Sequence, residues 1–320
     1  MRGMSFKFAA GLLILLAGPA TADEIPVRAF HVVLSHDDPK IDRVDALKFR
    51  GGLDLRSSDP RFGGLSGLNI SADGHRLTAV GDRGIWFTAD LEYDPEGRLN
   101  GISATRLRPM RGLDGKPFSK PNLTDSESIA RQTDGLLVVG FEGVHRLCGY
   151  EQPGAAARRM RAPAVLGTSP GNGGAEAITR LWGNQLLVLS EQLEARPGIA
   201  AGWIGAGKEW RAVGFSRTGM FRPVGAATRD NGMVFLLERW FTTIGGIAAH
   251  ISQIPARKIA PGRIFEGKAL AELSSPLVAD NFEGIAVRRS KPDETLIYIV
   301  SDDNSHALQR ALLLMFSLAE

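Results

Sequence analysis

Five stretches of this chain repeat one hydrophobic and polar pattern. Each opens on a small or acidic residue, followed by a small residue and an aliphatic. A turn comes next, and then an aliphatic run that ends on an acid. The segments begin at 64, 125, 174, 223 and 281, and their second runs end at Asp82, Glu142, Glu191, Glu238 and Asp302. Asp73-Gly74, Asp134-Gly135, Gly183-Asn184 and Asn231-Gly232 supply four of the turns. These dipeptides favour the positive φ angles of tight hairpins. The fifth turn, 290–294, is longer and contains Pro292. Runs such as 136–139 and 296–300 are almost wholly apolar, as suits strands buried on both faces.

The openers fall at Ser66, Glu127, Glu176, Gly225 and Glu283. Each step between them is enough for a propeller blade of about 40 to 50 residues plus loops. Room for two further strands follows the first hairpin, at 85–92 and 102–108, and one at 246–254 follows the fourth. The pattern therefore predicts an all-β chain forming a single β-propeller of five clear four-stranded blades. A sixth could be built around Val32-Val33-Leu34 and the C-terminus. The last unit has only 311–318 as a third strand. Its fourth is expected from the N-terminus, near 46–50. N- and C-terminal strands would then share a blade and close the ring, which removes open edges.

Composition adds a compartment. Arg2 and Lys7 precede the apolar run 8–17, and Ala20-Thr21-Ala22 follows a Gly-Pro break. This is the pattern of a Sec-type signal peptide over 1–22. Cleavage is expected after Ala22, with residues 23–320 as one propeller domain in the periplasm or secreted. No later segment is long and apolar enough to span a membrane. Without the leader, 36 basic residues stand against 35 acidic ones, and no basic block asks for nucleic acid. The single cysteine, Cys148, lies in an apolar run and reads as a buried thiol.

The acids carry the candidate chemistry. In an antiparallel hairpin the start of the first strand faces the end of the second. Glu127 is thus expected beside Glu142, Glu176 beside Glu191 and Glu283 beside Asp302. Likewise Ser66 is expected beside Asp82, and Gly225 beside Glu238. First strands line a propeller channel, so these residues should gather at one mouth. Crowded carboxylates raise one another's pKa values unless a cation or basic groups relieve them. Arg83 and Arg239 are the basic candidates. Asn281, Asp303 and Asn304 add oxygen donors, and His306 lies within reach of the same mouth. An all-oxygen set favours Ca2+ over zinc. The expected metal ligands are Asp82, Glu127, Glu142, Glu176, Glu191, Glu283 and Asp302. Glu127, Glu176, Glu283 and Asp302 are the expected catalytic groups, and Arg83 and Arg239 the groups that hold substrate. Gly64-Leu65-Ser66-Gly67 resembles part of a nucleophile elbow, but Ser66 opens a strand rather than a strand-to-helix turn, and the glycines at 171–174 precede no expected helix.

The elements at 64–68, 81–84, 125–129, 174–177, 281–286 and 301–304 are, in order, similar to those of the Phytase-like family ("esterase-like activity of phytase") of bacterial exported proteins. The likeness runs from about Phe62 to the end of the chain. It implies a β-propeller, export, and hydrolysis of a phosphoester or carboxyester. The lysine-rich phosphate site of propeller phytases has no counterpart here. Three functions stay open: a metal-dependent hydrolase of a small-molecule ester, a calcium-dependent lactonase-like enzyme, and a non-catalytic scaffold that holds a protein partner around a structural calcium.

Overall fold

The computed structural model describes residues 23–319 except 170, 172, 243–245, 292–293 and 305–308. The leader reading, Pro292 and His306 lie outside the described residues. The described chain is built of β-strands and four short 3-10 turns. No described helix is long and apolar enough to cross a membrane.

Five sheets, antiparallel except for one parallel edge pair in the third, form the blades. Their inner strands are Leu65–Ile70, Ser126–Arg131, Ala175–Arg180, Arg222–Thr228 and Phe282–Lys291. These five touch one another in cyclic order around a common axis. The expected outer strands form, at Ile85–Tyr93, Leu99–Pro109 and Gly246–Pro255. The four hairpin glycines or asparagines expected at positive φ adopt it: Gly74, Gly135, Gly183 with Asn184, and Gly232.

Closure takes the expected route. Ala311–Ala319 is the third strand of the last blade, and the N-terminal Leu47–Ser57 pairs with it as the fourth. The region expected to hide a sixth blade does not form one. Val27–His31 instead pairs with Leu47–Ser57 as an outer strand of the fifth blade. Asp23–Glu24 and Ile264–Phe265 cover the outer edges of the first and third blades.

The core consists of five apolar layers, one at each blade–blade interface. Strand alternation divides each buried run between two layers. In the second strand of the fifth blade, Leu296, Tyr298 and Val300 face the first blade. Ile297 and Ile299 face the fourth. This explains the uninterrupted apolar runs, since both faces of every blade are covered. Trp86, Trp203 and Trp210 belong to this packing, whereas Trp182 is 56% exposed. Cys148 is buried, and burial raises its thiol pKa. That is the behaviour of an inert core cysteine.

Candidate active site: a carboxylate ring at one channel mouth

Each inner strand carries a β-bulge at the same place. Ser126 pairs with Phe141 and Ser128 with Gly140, which leaves Glu127 as the extra residue. Glu176 is extra between Ala175 and Ala177, and Glu283 between Phe282 and Gly284. In the first blade, Ser66 and Gly67 together oppose Val80. A bulge re-aims a side chain out of the regular pleat. Here it turns three glutamates toward the axis.

The residue after each bulge is small because neighbouring blades nearly touch there. A Cβ on Gly284 would lie 2.0 Å from the Ser66 carbonyl oxygen, and one on Gly225 would lie 2.8 Å from that of Glu283. The Ser128 hydroxyl, at the matching position, donates to the Ala175 carbonyl of the next blade.

The second strands bring the other acids. Asp82, Glu142 and Asp302 hang their backbone N–H groups on the carbonyls of Gly64, Asp125 and Asn281. In this register the fourth blade departs from the sequence reading. Pro223 pairs with Glu238 and Gly225 with Leu237. The bulged residue is therefore Val224, not Gly225, and Gly225 does not face Glu238. The position held by Asp82, Glu142, Glu191 and Asp302 is filled here by Arg239. Glu238 is fully buried away from the ring. Its carboxylate takes the Thr218 backbone N–H at 3.1 Å and lies 3.0 Å from His250 Nδ1.

Arg239 is the ring's inner cation. Its guanidinium lies 3.0 Å from Glu191 and 2.6 Å from Glu283, and it also donates to the Asn281 side-chain oxygen. Arg83 follows Asp82 but is exposed, and its guanidinium donates to the Pro60 carbonyl.

The acids are linked around the whole circle. Asp125 and Glu127 lie within hydrogen-bonding reach of each other, as do Glu142 and Glu176. Carboxylate oxygens of Asp125, Glu127 and Glu142 all lie within 4.8 Å of one another. Gly173 and Gly174 each donate a backbone N–H to Glu142 Oε1. Asp303 accepts the Gly64 N–H at 3.0 Å and adds its charge to Asp82 and Asp302.

Burial dominates the electrostatics, followed by mutual repulsion. It pushes Glu127 and Glu176 well above the ordinary carboxylate range, and neighbouring acids push the same way. Burial lifts Glu283 to about 8, with Arg239 opposing and Asp302 and Glu191 adding to the rise. Asp302 is pushed up to about 7 and Asp82 to about 6, again chiefly by burial. Carboxylates raised in this way by burial and by one another make the cleft a candidate functional site.

The ring therefore unites Asp82, Glu127, Glu142, Glu176, Glu191, Glu283, Asp302 and Arg239, and leaves Arg83 at its margin. Asn281 and Asp303 join it as the sequence suggested. Asp125 is the member that sequence reasoning did not assign. Its signal was the Asp-x-Glu spacing just before the second inner strand.

The donor set suits a hard divalent cation. All donors are oxygen, and Asp82 Oδ1 is buried with no hydrogen-bond partner among the described residues. Among the described ring acids, Arg239 forms direct ion pairs with Glu191 and Glu283.

A family model, "Phytase-like: Esterase-like activity of phytase", matches residues 60–305. The chain belongs to the Phytase-like family. The match spans all five inner strands and every ring residue. No protein of curated function matches the sequence significantly. Among solved structures, the α-L-arabinofuranosidase PaAbf62A from Podospora anserina, in complex with cellotriose, is 13% identical with a TM-score of 0.51. That match covers 86% of this chain and 97% of the other. A candidate gluconolactonase is 11% identical with a TM-score of 0.44, covering 93% and 97%. At these identities the likeness concerns the fold alone.

Proposed function

We propose that this Phytase-like propeller is a metal-dependent hydrolase of phosphoesters or related small-molecule esters, working at the carboxylate mouth. One observation carries the reading: bulges in three of the five blades aim glutamates at an axis already ringed by acids, with Arg239 as the sole cation inside the ring among the described residues. A structural role alone gives no reason to repeat so unfavourable a charge density. Asp125, Glu127 and Glu142 would hold the cation, with Asp82 beside them, and calcium is the favoured ion. When bound, such an ion polarises an ester oxygen and acidifies a water. Glu283, steadied by Arg239 and Asn281, is placed to carry a proton to or from the reacting oxygen. Glu176 faces the same space from the third blade and orients a polar substrate group. Export to the periplasm or beyond is part of the proposal and rests on the leader sequence.

The test combines a binding readout with turnover. Calcium should raise the melting temperature of chelator-treated protein by several degrees and support hydrolysis of a member of a phosphoester, carboxyester and lactone panel. Glu127→Gln should lose both responses. A calcium response without turnover on any ester would replace the enzyme by a calcium-stabilised scaffold. Turnover unaffected by Glu127→Gln would remove the ring from the chemistry.

A further inference from the structure

The channel's opposite end has the opposite chemistry. Below the bulges, Leu68, Ile129, Ile178, Ala226 and Ile285 stand two residues after Ser66, Glu127, Glu176, Val224 and Glu283. They form an apolar collar, and with the three bulged glutamates above they line a gap of about 10 Å3. The channel is thus narrow at its waist. Below it a separate cavity of about 290 Å3 opens to the far face.

Arginines from four of the five blades line that cavity: Arg131, Arg180, Arg229, Arg288 and Arg289. Among the described residues Asp230 is the one acid in the lining, 3.5 Å from Arg229, and exposed Asp73 adds a charge near Arg288. Asn69 holds Arg131 by its side-chain oxygen at 3.2 Å. Arg288 is braced by the Tyr298 hydroxyl at 3.1 Å. Arg229 is buried, with its guanidinium anchored on the Thr295 hydroxyl. Burial and the neighbouring charge of Arg289 both lower its pKa, against Asp230. The Arg180 guanidinium forms no hydrogen bond or ion pair among the described residues. The hydroxyls of Thr179 and Thr228 meet at 2.8 Å on the cavity wall.

Among the described residues, Arg131, Arg180 and Arg288 converge from three blades on a recess lined by one carboxylate, and a bound anion would relieve their mutual repulsion. Low-dielectric walls focus the positive field into the recess. Guanidinium forks are matched to phosphate oxygens. We propose that this arginine-rimmed cavity is a second ligand site, distinct from the carboxylate ring, that binds a soluble small molecule bearing more than one phosphate. Its volume suits a phosphorylated sugar, and its apolar floor meets the carbon skeleton. The recess, unlike a flat basic patch, selects a compact soluble anion over a membrane surface.

Isothermal titration of the mature chain with fructose 1,6-bisphosphate, fructose 6-phosphate and fructose tests this. Saturable binding should be strongest for the bisphosphate, weaker for the monophosphate and absent for the neutral sugar. It should weaken with added NaCl. Arg131→Gln combined with Arg180→Gln should reduce bisphosphate affinity at least tenfold while far-ultraviolet circular dichroism stays unchanged. Arg180→Glu alone gives a second variant should the pair misfold. Glu127→Gln should bind the bisphosphate like the parent, which separates this site from the proposed hydrolytic one. The proposal is overturned by any of four results: no saturable bisphosphate binding, binding unchanged in the arginine variants, binding abolished by Glu127→Gln, or co-sedimentation with anionic vesicles but no bisphosphate binding.

Discussion

Arg239 Nη1 lies 2.6 Å from the Glu283 carboxylate, joining the fourth blade to the fifth inside an otherwise acidic ring. Both side chains are largely covered, so the pair sits where charges interact strongly and water shields them little. Glu191 holds the same guanidinium from the third blade. One arginine therefore ties three blades together at the mouth.

Removing that arginine leaves two covered carboxylates without their counter-charge. Arg239→Met is expected to destabilise the metal-free protein by about 3 kcal/mol, the scale for breaking a covered ion pair on one side. Urea unfolding measures it. Adding Glu283→Gln should restore part of the loss, and a double variant no more stable than Arg239→Met would show that the pair is not coupled.

The metal-free protein should grow less stable as pH rises. The pKa values of Asp82, Asp302 and Glu283 are raised to about 6, 7 and 8, above the unfolded range near 4. Between those limits the folded state binds more protons than the unfolded state, so stability falls with rising pH. The loss from about pH 5 to 8 is expected to be on the order of a few kcal/mol. Denaturant midpoints with chelator across that range test the sign. Saturating calcium should flatten the slope, because a bound cation favours the ionised acids.

Glu238 and Arg239 are adjacent in sequence but opposite in role. Glu238→Ala would leave the buried His250 ring without its carboxylate partner and release the Thr218 N–H. A loss of about 1–3 kcal/mol is expected from unmade buried hydrogen bonds. Because Glu238 points away from the ring, the calcium-dependent melting shift should survive. Its disappearance would return Glu238 to the mouth and undo the register described here.

Gly284→Ala tests the close approach at the axis. The new Cβ would meet the backbone oxygen of Ser66 at 2.0 Å, and backbone cannot rotate aside. Overpacking of this kind costs about 1–3 kcal/mol or more. Gly167→Ala, where a Cβ meets nothing within 4 Å, is the control and should leave the thermal midpoint almost unchanged. Equal effects of the two would contradict the tight inner ring.

By itself the sequence determined the five hairpins, their turns, the shared closing blade and most of the acid ring. These were legible because strand alternation, turn chemistry and acid spacing are local, and they recur. The tertiary structure alone decided the rest. A bulge places two residues against one, and nothing in the sequence distinguishes that slip from regular pairing. The slip moved the fourth opener from Gly225 to Val224 and put Arg239, rather than Glu238, among the acids. Asp125 entered the ring because the hydrogen bond from Glu142 N–H to its carbonyl spans the hairpin end. The arginine-lined far mouth was equally hidden. Arg131 and Arg180 stand four residues after their bulged glutamates, while Arg229 and Arg288 stand five after Val224 and Glu283. Only closing the five blades around one axis brings those unequal spacings to a single recess.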